Sequence, residues 1–200
     1  MLKKAIFFII SSAFMSVDTS AAQSIVGTGL VDGKKIEIYN DFSWDYVGDD
    51  KGKCKSAGKG VLFCGSSSIW KPTDLGSEIT AGYRYNDRTY AMIIVEDLGI
   101  QDGMTSEFMR KAIIENAATG AGVEAKDIII LSADESLFDN KESNRMVYAT
   151  NIDGLDIIYT NTISIEEYRT LQMITMDISS EYSEEKSNFH DKFLELVKIK

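Results

Sequence analysis

A single histidine, two cysteines and scattered pairs of acids are the side chains in this sequence whose types and spacing offer chemistry. His190 would have to be the base of any Ser-His-Asp or Cys-His mechanism, because the chain has no second imidazole. At helical spacing its face neighbours are Lys186, Ser187, Phe193 and Leu194, so no carboxylate among them would orient the ring. The expectation is a partly exposed surface histidine. One imidazole and two cysteines do not complete a standard zinc set. Ser66–Ser68 follow Cys64-Gly65 without the Gly-x-Ser-x-Gly elbow that exposes a nucleophile, and read as loop serines bonded to their own backbone. Gly27, Gly29 and Gly33 only approximate a dinucleotide fingerprint; the spacing is wrong and no helix follows. No cofactor is expected.

Paired carboxylates leave one enzymatic route open. Asp45, Asp49 and Asp50 cluster near Trp44 and Tyr46, and Glu96-Asp97 ends an apolar run. A hydrolase of the glycosidase kind needs two acids about 5–10 Å apart across a cleft, one with its pKa raised by burial. Asp45, Asp49 and Asp50 with loop carbonyls are also the candidate calcium ligands, but the Asp-x-Asp-x-Asp-Gly run is absent and no metal is expected. Trp44, Trp70, Tyr83, Tyr85 and Tyr90 could anchor an interface or fill a core. Core filling is the expectation.

The first 22 residues say where such groups would work. Met1-Leu2-Lys3-Lys4 is a short positive region, Ala5–Met15 an apolar run too short to span a bilayer, and Asp18–Ala22 a polar stretch ending in small residues. This is the pattern of a secretory leader removed near Ala22, leaving residues 23–200 as one domain without a stable membrane anchor. The expected location is periplasmic or secreted, in a bacterium. In an oxidising compartment Cys54 and Cys64, separated by the glycine-rich turn Ser56–Gly60, are expected to pair as a structural hairpin clasp. The chain carries 21 basic and 31 acidic side chains, net −10, and loses a further unit of positive charge with the leader. That sign repels nucleic acid and anionic lipid. The densest basic stretch, Lys51-Gly-Lys53-Cys-Lys55 with Lys59, follows Asp49-Asp50, has no interleaved aromatics, and reads as a solvated loop. No nucleic acid is expected as a partner.

The elements that must position these groups are mostly strands. Ile25–Val31 and Lys34–Tyr39 flank Asp32-Gly33, a hairpin cue, and Asn40-Asp41 turns the chain into Ser43–Val47. Pro72 keeps its surroundings irregular. Glu78–Tyr85 and Thr89–Glu96 predict a second hairpin, with the apolar run Ala91–Val95 central. Thr105 or Ser106 caps a helix whose apolar side chains recur at Phe108, Met109, Ala112, Ile113 and Ala117, with Gly120 at its end. Asp127–Leu131 reads as a buried strand. A meander follows over Arg145–Thr150, the Asp153-Gly154 turn, Leu155–Thr160 and Leu171–Ile178. A last helix is expected from about Ser183 to Ile199, apolar at Phe189, Phe193, Leu194 and Val197, with a basic final turn. The fold class predicted is α+β: a curved antiparallel sheet with two main helices packed on it and one disulfide-clasped hairpin.

Met146–Thr160, then Thr170–Met176, then Phe189–Lys200 resembles the closing strand-strand-strand-helix of PsbP-like domains and of the DcrB-like periplasmic proteins. The resemblance implies an exported, non-enzymatic accessory fold and transfers no binding residue; the first half of the chain shows no such likeness. The functional expectation is therefore an exported protein that presents a surface to another protein. One subclass is an immunity protein against a basic toxic enzyme. The competing reading is a periplasmic hydrolase built on paired carboxylates, with Asp45, Asp49, Asp50, Glu96 and Asp97 as its candidates.

Overall fold

The structure is a computed structural model that describes residues 24–31, 34–40, 44–46 and 54–200. Three strands, β1 (Ile25–Val31), β2 (Lys34–Tyr39) and β3 (Trp44–Tyr46), form one small antiparallel sheet. β4 (Lys55–Gly58) and β5 (Val61–Phe63) make the hairpin that the cysteines flank, and β6 is the two-residue piece Lys71–Pro72. β7 (Ala81–Arg84), β8 (Thr89–Glu96) and helix α1 (Ser106–Ala121) follow. Then come β9 (Ile129–Phe138), β10 (Lys141–Ile152), β11 (Leu155–Ile165) and β12 (Thr170–Ile178). Helix α2 (Glu184–Leu196) and β13 (Val197–Ile199) end the chain.

The main sheet is antiparallel with seven strands in the order β6-β7-β8-β12-β11-β10-β9. Its hairpins are set by turn chemistry. Asp153 and Gly154 both take positive φ between the paired Ile152 and Leu155, and Asp139 and Asn140 do the same between Phe138 and Lys141. Such two-residue turns match the twist of the flanking strands. Lys71 and Pro72, expected to be irregular, pair with Arg84 and Tyr83 at the sheet's far edge, where a missing proline N–H is tolerated.

Among the described residues, each face of the sheet carries one helix. On one, Met146, Tyr148 and Ile163 meet Met109, Ile113 and Ala118 of α1. On the other, Ala91, Ile93, Val95, Leu171 and Met173 meet Phe193 and Leu194 of α2, together with Val61 and Phe63. Thr105 caps α1 by accepting from the Phe108 N–H at 3.1 Å. The helix runs to Gly122, not Gly120, and Gly122 takes the left-handed conformation that ends it. Phe108, expected on the apolar face, is 50% exposed. The last helix stops at Leu196 because Val197–Ile199 switch to extended backbone and pair with Phe63–Val61. The basic final turn is therefore absent from α2: Lys198 and Lys200 lie beyond it.

Gly99 is where two loops touch. A Cβ there would sit 2.5 Å from the carbonyl oxygens of Glu166 and Glu167 and 2.6 Å from the Arg169 nitrogen, all backbone atoms with no side chain to swing aside. Gly99→Ala is expected to cost about 1–3 kcal/mol by overpacking, read by urea denaturation. An unchanged midpoint would contradict this close approach.

Candidate functional site

His190 lies in the middle of α2, and the sheet seals it in. It is fully buried, with Nε2 2.8 Å from Thr162 Oγ1 and Nδ1 2.9 Å from Thr175 Oγ1. The surface histidine expected from sequence is thus corrected: position 190 shares a helical face with Phe193 and Leu194, and that face is the one packed on the sheet. A neutral ring suits two hydroxyls, donating to one and accepting from the other. Burial, and then the charge of Arg145, push its pKa down to about 3. Arg145 itself donates to Asp191, the residue next to the histidine. With both nitrogens engaged and no exposed surface, the ring is placed as a core strut.

This burial has a pH signature. An unfolded imidazole titrates near 6.5, so from there down to about 3 the unfolded chain binds the additional proton. Stability then falls as pH drops through that window, at about 1.4 kcal/mol per unit for this group, and the group adds no slope above it. His190→Gln is expected to flatten the acid limb of unfolding free energy against pH. Parallel limbs for variant and parent would contradict it.

The acids singled out by sequence do not form one constellation. Glu96 and Asp97 are divided between partners: Glu96 accepts from Gln172 Nε2 at 3.4 Å, while the exposed Asp97 takes Lys59 Nζ at 3.1 Å. Lys59 also donates to the Val95 carbonyl at 2.9 Å. Burial raises the pKa of the Glu96 carboxyl, against its bond to Gln172 and the charge of Lys59, and with a smaller push from Glu78. Glu78, Lys59 and Thr80 line with Glu96 a cleft of about 250 Å³. The acid that shares a cleft with Glu96 is therefore Glu78, which sequence reasoning did not single out. The Asp45 side chain and Asp49 and Asp50 fall outside the described residues, and with them the calcium reading. Among the described residues no three His, Cys, Asp or Glu side chains group to hold a metal ion.

A larger cleft, about 900 Å³, opens between the 85–88 turn, the end of β12 and the first turns of α2. Part of its charged lining is tied down. Arg88 gives two N–H groups to the Ile178 carbonyl; Asp177 accepts from Thr89 Oγ1 at 2.8 Å and faces Lys186 Nζ at 3.9 Å. Of the five aromatics, Trp70, Tyr83 and Tyr90 are buried as core, as expected, and burial pushes the Tyr83 phenol up to about 12. Tyr85 stands half-exposed at the cleft rim, packed edge-on to Phe189, and the Trp44 side chain falls outside the described residues.

The largest departure from expectation is β9. The burial expected over Asp127–Leu131 holds at Ile128, which is in the core with Met109 and Ile113 of α1, but Ile129, Ile130 and Leu131 are 61%, 54% and 45% exposed, because β9 forms the outer edge of the sheet. Leu137 at its other end is 66% exposed.

No protein-family model and no curated protein matches the sequence. Solved structures do match. The chain resembles the solution structure of cyanobacterial PsbP (CyanoP) from Synechocystis sp. PCC 6803, with a TM-score of 0.56 at 10% identity, over 77% of this chain and 95% of that one. The fold is PsbP-like. A crystal structure from Bacteroides thetaiotaomicron matches with a TM-score of 0.50 at 9% identity, over 75% of this chain; the matched part is about half of that longer protein, 49%. A Pseudomonas aeruginosa protein of unknown function, PA94, a putative regulator by its description, is less similar, with a TM-score of 0.42 at 8% identity, over 90% of this chain and 99% of that one.

The PsbP-like likeness covers more of the chain than its closing strands and helix, correcting the expectation that the first half would show none. Cys54 and Cys64 are joined, as the spacing predicted, with Cα atoms 4.0 Å apart at the open end of the β4–β5 hairpin. A disulfide is the kind of bond that persists in an oxidising compartment. The leader and its cleavage position lie outside the described residues. Among the described residues no helix is long and apolar enough to cross a membrane.

Proposed function

We propose that this chain is an exported accessory protein that acts by binding another protein, in the periplasm or after secretion, once its leader is removed near Ala22. The observation that carries the reading is β9: three consecutive large apolar side chains, Ile129–Leu131, are held in solvent at the end of a well-packed sheet. Exposed apolar groups that a chain could have buried elsewhere mark interaction surfaces. The PsbP-like fold suggests an accessory or binding role in the same direction, by analogy of fold. The net charge of −10 favours a basic partner, whose encounter complementary fields would speed. An immunity protein that blocks a basic toxic enzyme is the subclass that best suits that charge.

A second reading, hydrolysis by paired carboxylates, has one supporting observation: the raised pKa of Glu96 in a cleft shared with Glu78. Both readings are tested with the oxidised chain from its native host. Capture of one stoichiometric basic protein from the same compartment, with no turnover of glycan or peptide substrates, is the expected result. Turnover abolished by Glu96→Gln, with no protein captured, would overturn the binding reading.

A further inference from the structure

We propose that β9 binds its partner by strand addition, taking an extended basic segment of another protein onto the edge of the seven-stranded sheet. This rests on the protein-binding reading above and names its surface and the chemistry of the partner. Among the described residues β9 pairs only with β10, from Ile129 to Phe138, and it is the last strand of the sheet. In an antiparallel ladder a terminal strand turns the other half of its N–H and C=O groups outward, a ready template for a further strand. Ten residues give an edge about 33 Å long. Sheet edges are usually blunted by shortness, proline, lysine or a bulge. The opposite edge is: β6 is only Lys71–Pro72. β9 contains neither residue type; it bulges once, at Leu131, where its register to β10 shifts between Val147 and Tyr148, and the Ser132–Phe138 stretch runs without interruption, with all but three of the strand's side chains exposed.

Its sequence specifies what would fit. Ile129 and Ile130 pair in turn with Ala149 and Tyr148, so apolar groups stand on both faces of the edge, where alternating apolar side chains of an added strand could cover them. Asp134 and Glu135 follow, both exposed and neither in an ion pair. Asp134 lies across from Arg145 in the β9–β10 register, but that guanidinium is committed to Asp191. No basic residue lies between Ile129 and Asn140. A second copy of the chain is a poor occupant. Two β9 strands paired antiparallel over their full length would bring Asp134 and Glu135 of both copies together at the centre, in molecules that each carry net −10. Like charges so placed oppose pairing. The occupant that fits has branched apolar residues beside Ile129–Leu131 and Lys or Arg beside Asp134 and Glu135.

The probes are short fluorescein-labelled peptides of alternating valine and a charged residue, titrated against the oxidised full chain by fluorescence anisotropy. The lysine version is expected to bind, to weaken with added salt, and to lose about tenfold in affinity when its backbone nitrogens are methylated. The glutamate version is expected not to bind. Asp134→Lys with Glu135→Lys, and separately Ile130→Lys, alter only exposed side chains and are expected to reduce binding about tenfold with thermal unfolding unchanged. Equal binding of both peptides, undiminished binding by both variants, or a dimer of the parent in light scattering would overturn the proposal. The two readings fail separately. If the charge-reversed variant still captures the native partner, strand addition is wrong and protein binding stands; if the parent captures none, the binding reading itself fails.

Discussion

Phe193→Ala is expected to lower the stability of the folded chain by about 3–5 kcal/mol, the range for removing a fully buried phenylalanine. Phe193 has no exposed surface and sits where α2 meets both the main sheet and the disulfide hairpin. Its ring centroid is 5.9 Å from Phe63, 5.6 Å from Trp70 and 6.4 Å from His190. Phe63 in turn stacks on Tyr83 at 4.0 Å, and Trp70 on Phe189 at 5.4 Å. The cavity would therefore open at the junction of three layers, and interlocked rings collapse poorly into such a space. Urea denaturation measures it. Phe108→Ala is the control, since that ring is half-exposed on α1 and its loss should stay within about 0.5 kcal/mol. A cost for Phe193→Ala below about 1 kcal/mol would contradict the packing described.

Opening the Cys54–Cys64 bond, by reduction or by paired serine substitution, is expected to cost about 2–3 kcal/mol through the freedom restored to the unfolded chain. The two cysteines lie ten residues apart and bracket β4 and β5. β5 is the middle strand of its sheet, between β4 and the terminal β13, and the Cys64 N–H donates to the Leu196 carbonyl at 2.8 Å. Loosening the clasp should therefore reach the end of α2 and Phe193 with it, adding to the entropic loss. Equilibrium unfolding with and without reductant gives the difference. Equal stability in the two states would show that the bond does not constrain the fold, and would remove the structural reason for an oxidising compartment.

What the sequence made legible was local. Asp153-Gly154, the Thr105 cap, the β7–β8 pair and the cysteine clasp each depend on residues close in the chain, and each stands where the pattern placed it. What it hid depends on tertiary order. Asp127–Leu131 has the composition of a central strand, and only the position of β9 at the sheet's edge exposes it. Asp139-Asn140, a turn pair without the glycine of Asp153-Gly154, joins β9 to β10 and lets both run longer than their apolar patterns suggest. Val197–Ile199 continues a helical pattern but pairs with β5, a partner more than a hundred residues away. His190 departs from expectation as well, buried where a surface place is expected. Its spacing to Phe193 and Leu194 held the signal, but a titratable residue type suggested a surface place.

For the acids, spacing was the wrong guide. Glu96 and Asp97 are adjacent in the chain and separated by their partners, while Glu78, from the turn before β7, shares the Glu96 cleft. Carboxylates meet through sheet register and loop packing, which sequence separation does not encode.

Hydrogen exchange of the full chain, free and bound to the protein captured from its native compartment, measures directly whether the edge of the sheet is the working surface. Slowed exchange concentrated in peptides covering residues 129–138 is the predicted result. Protection confined to the cleft around residues 85–88 and 184–192, with β9 exchanging as it does in the free chain, would contradict it.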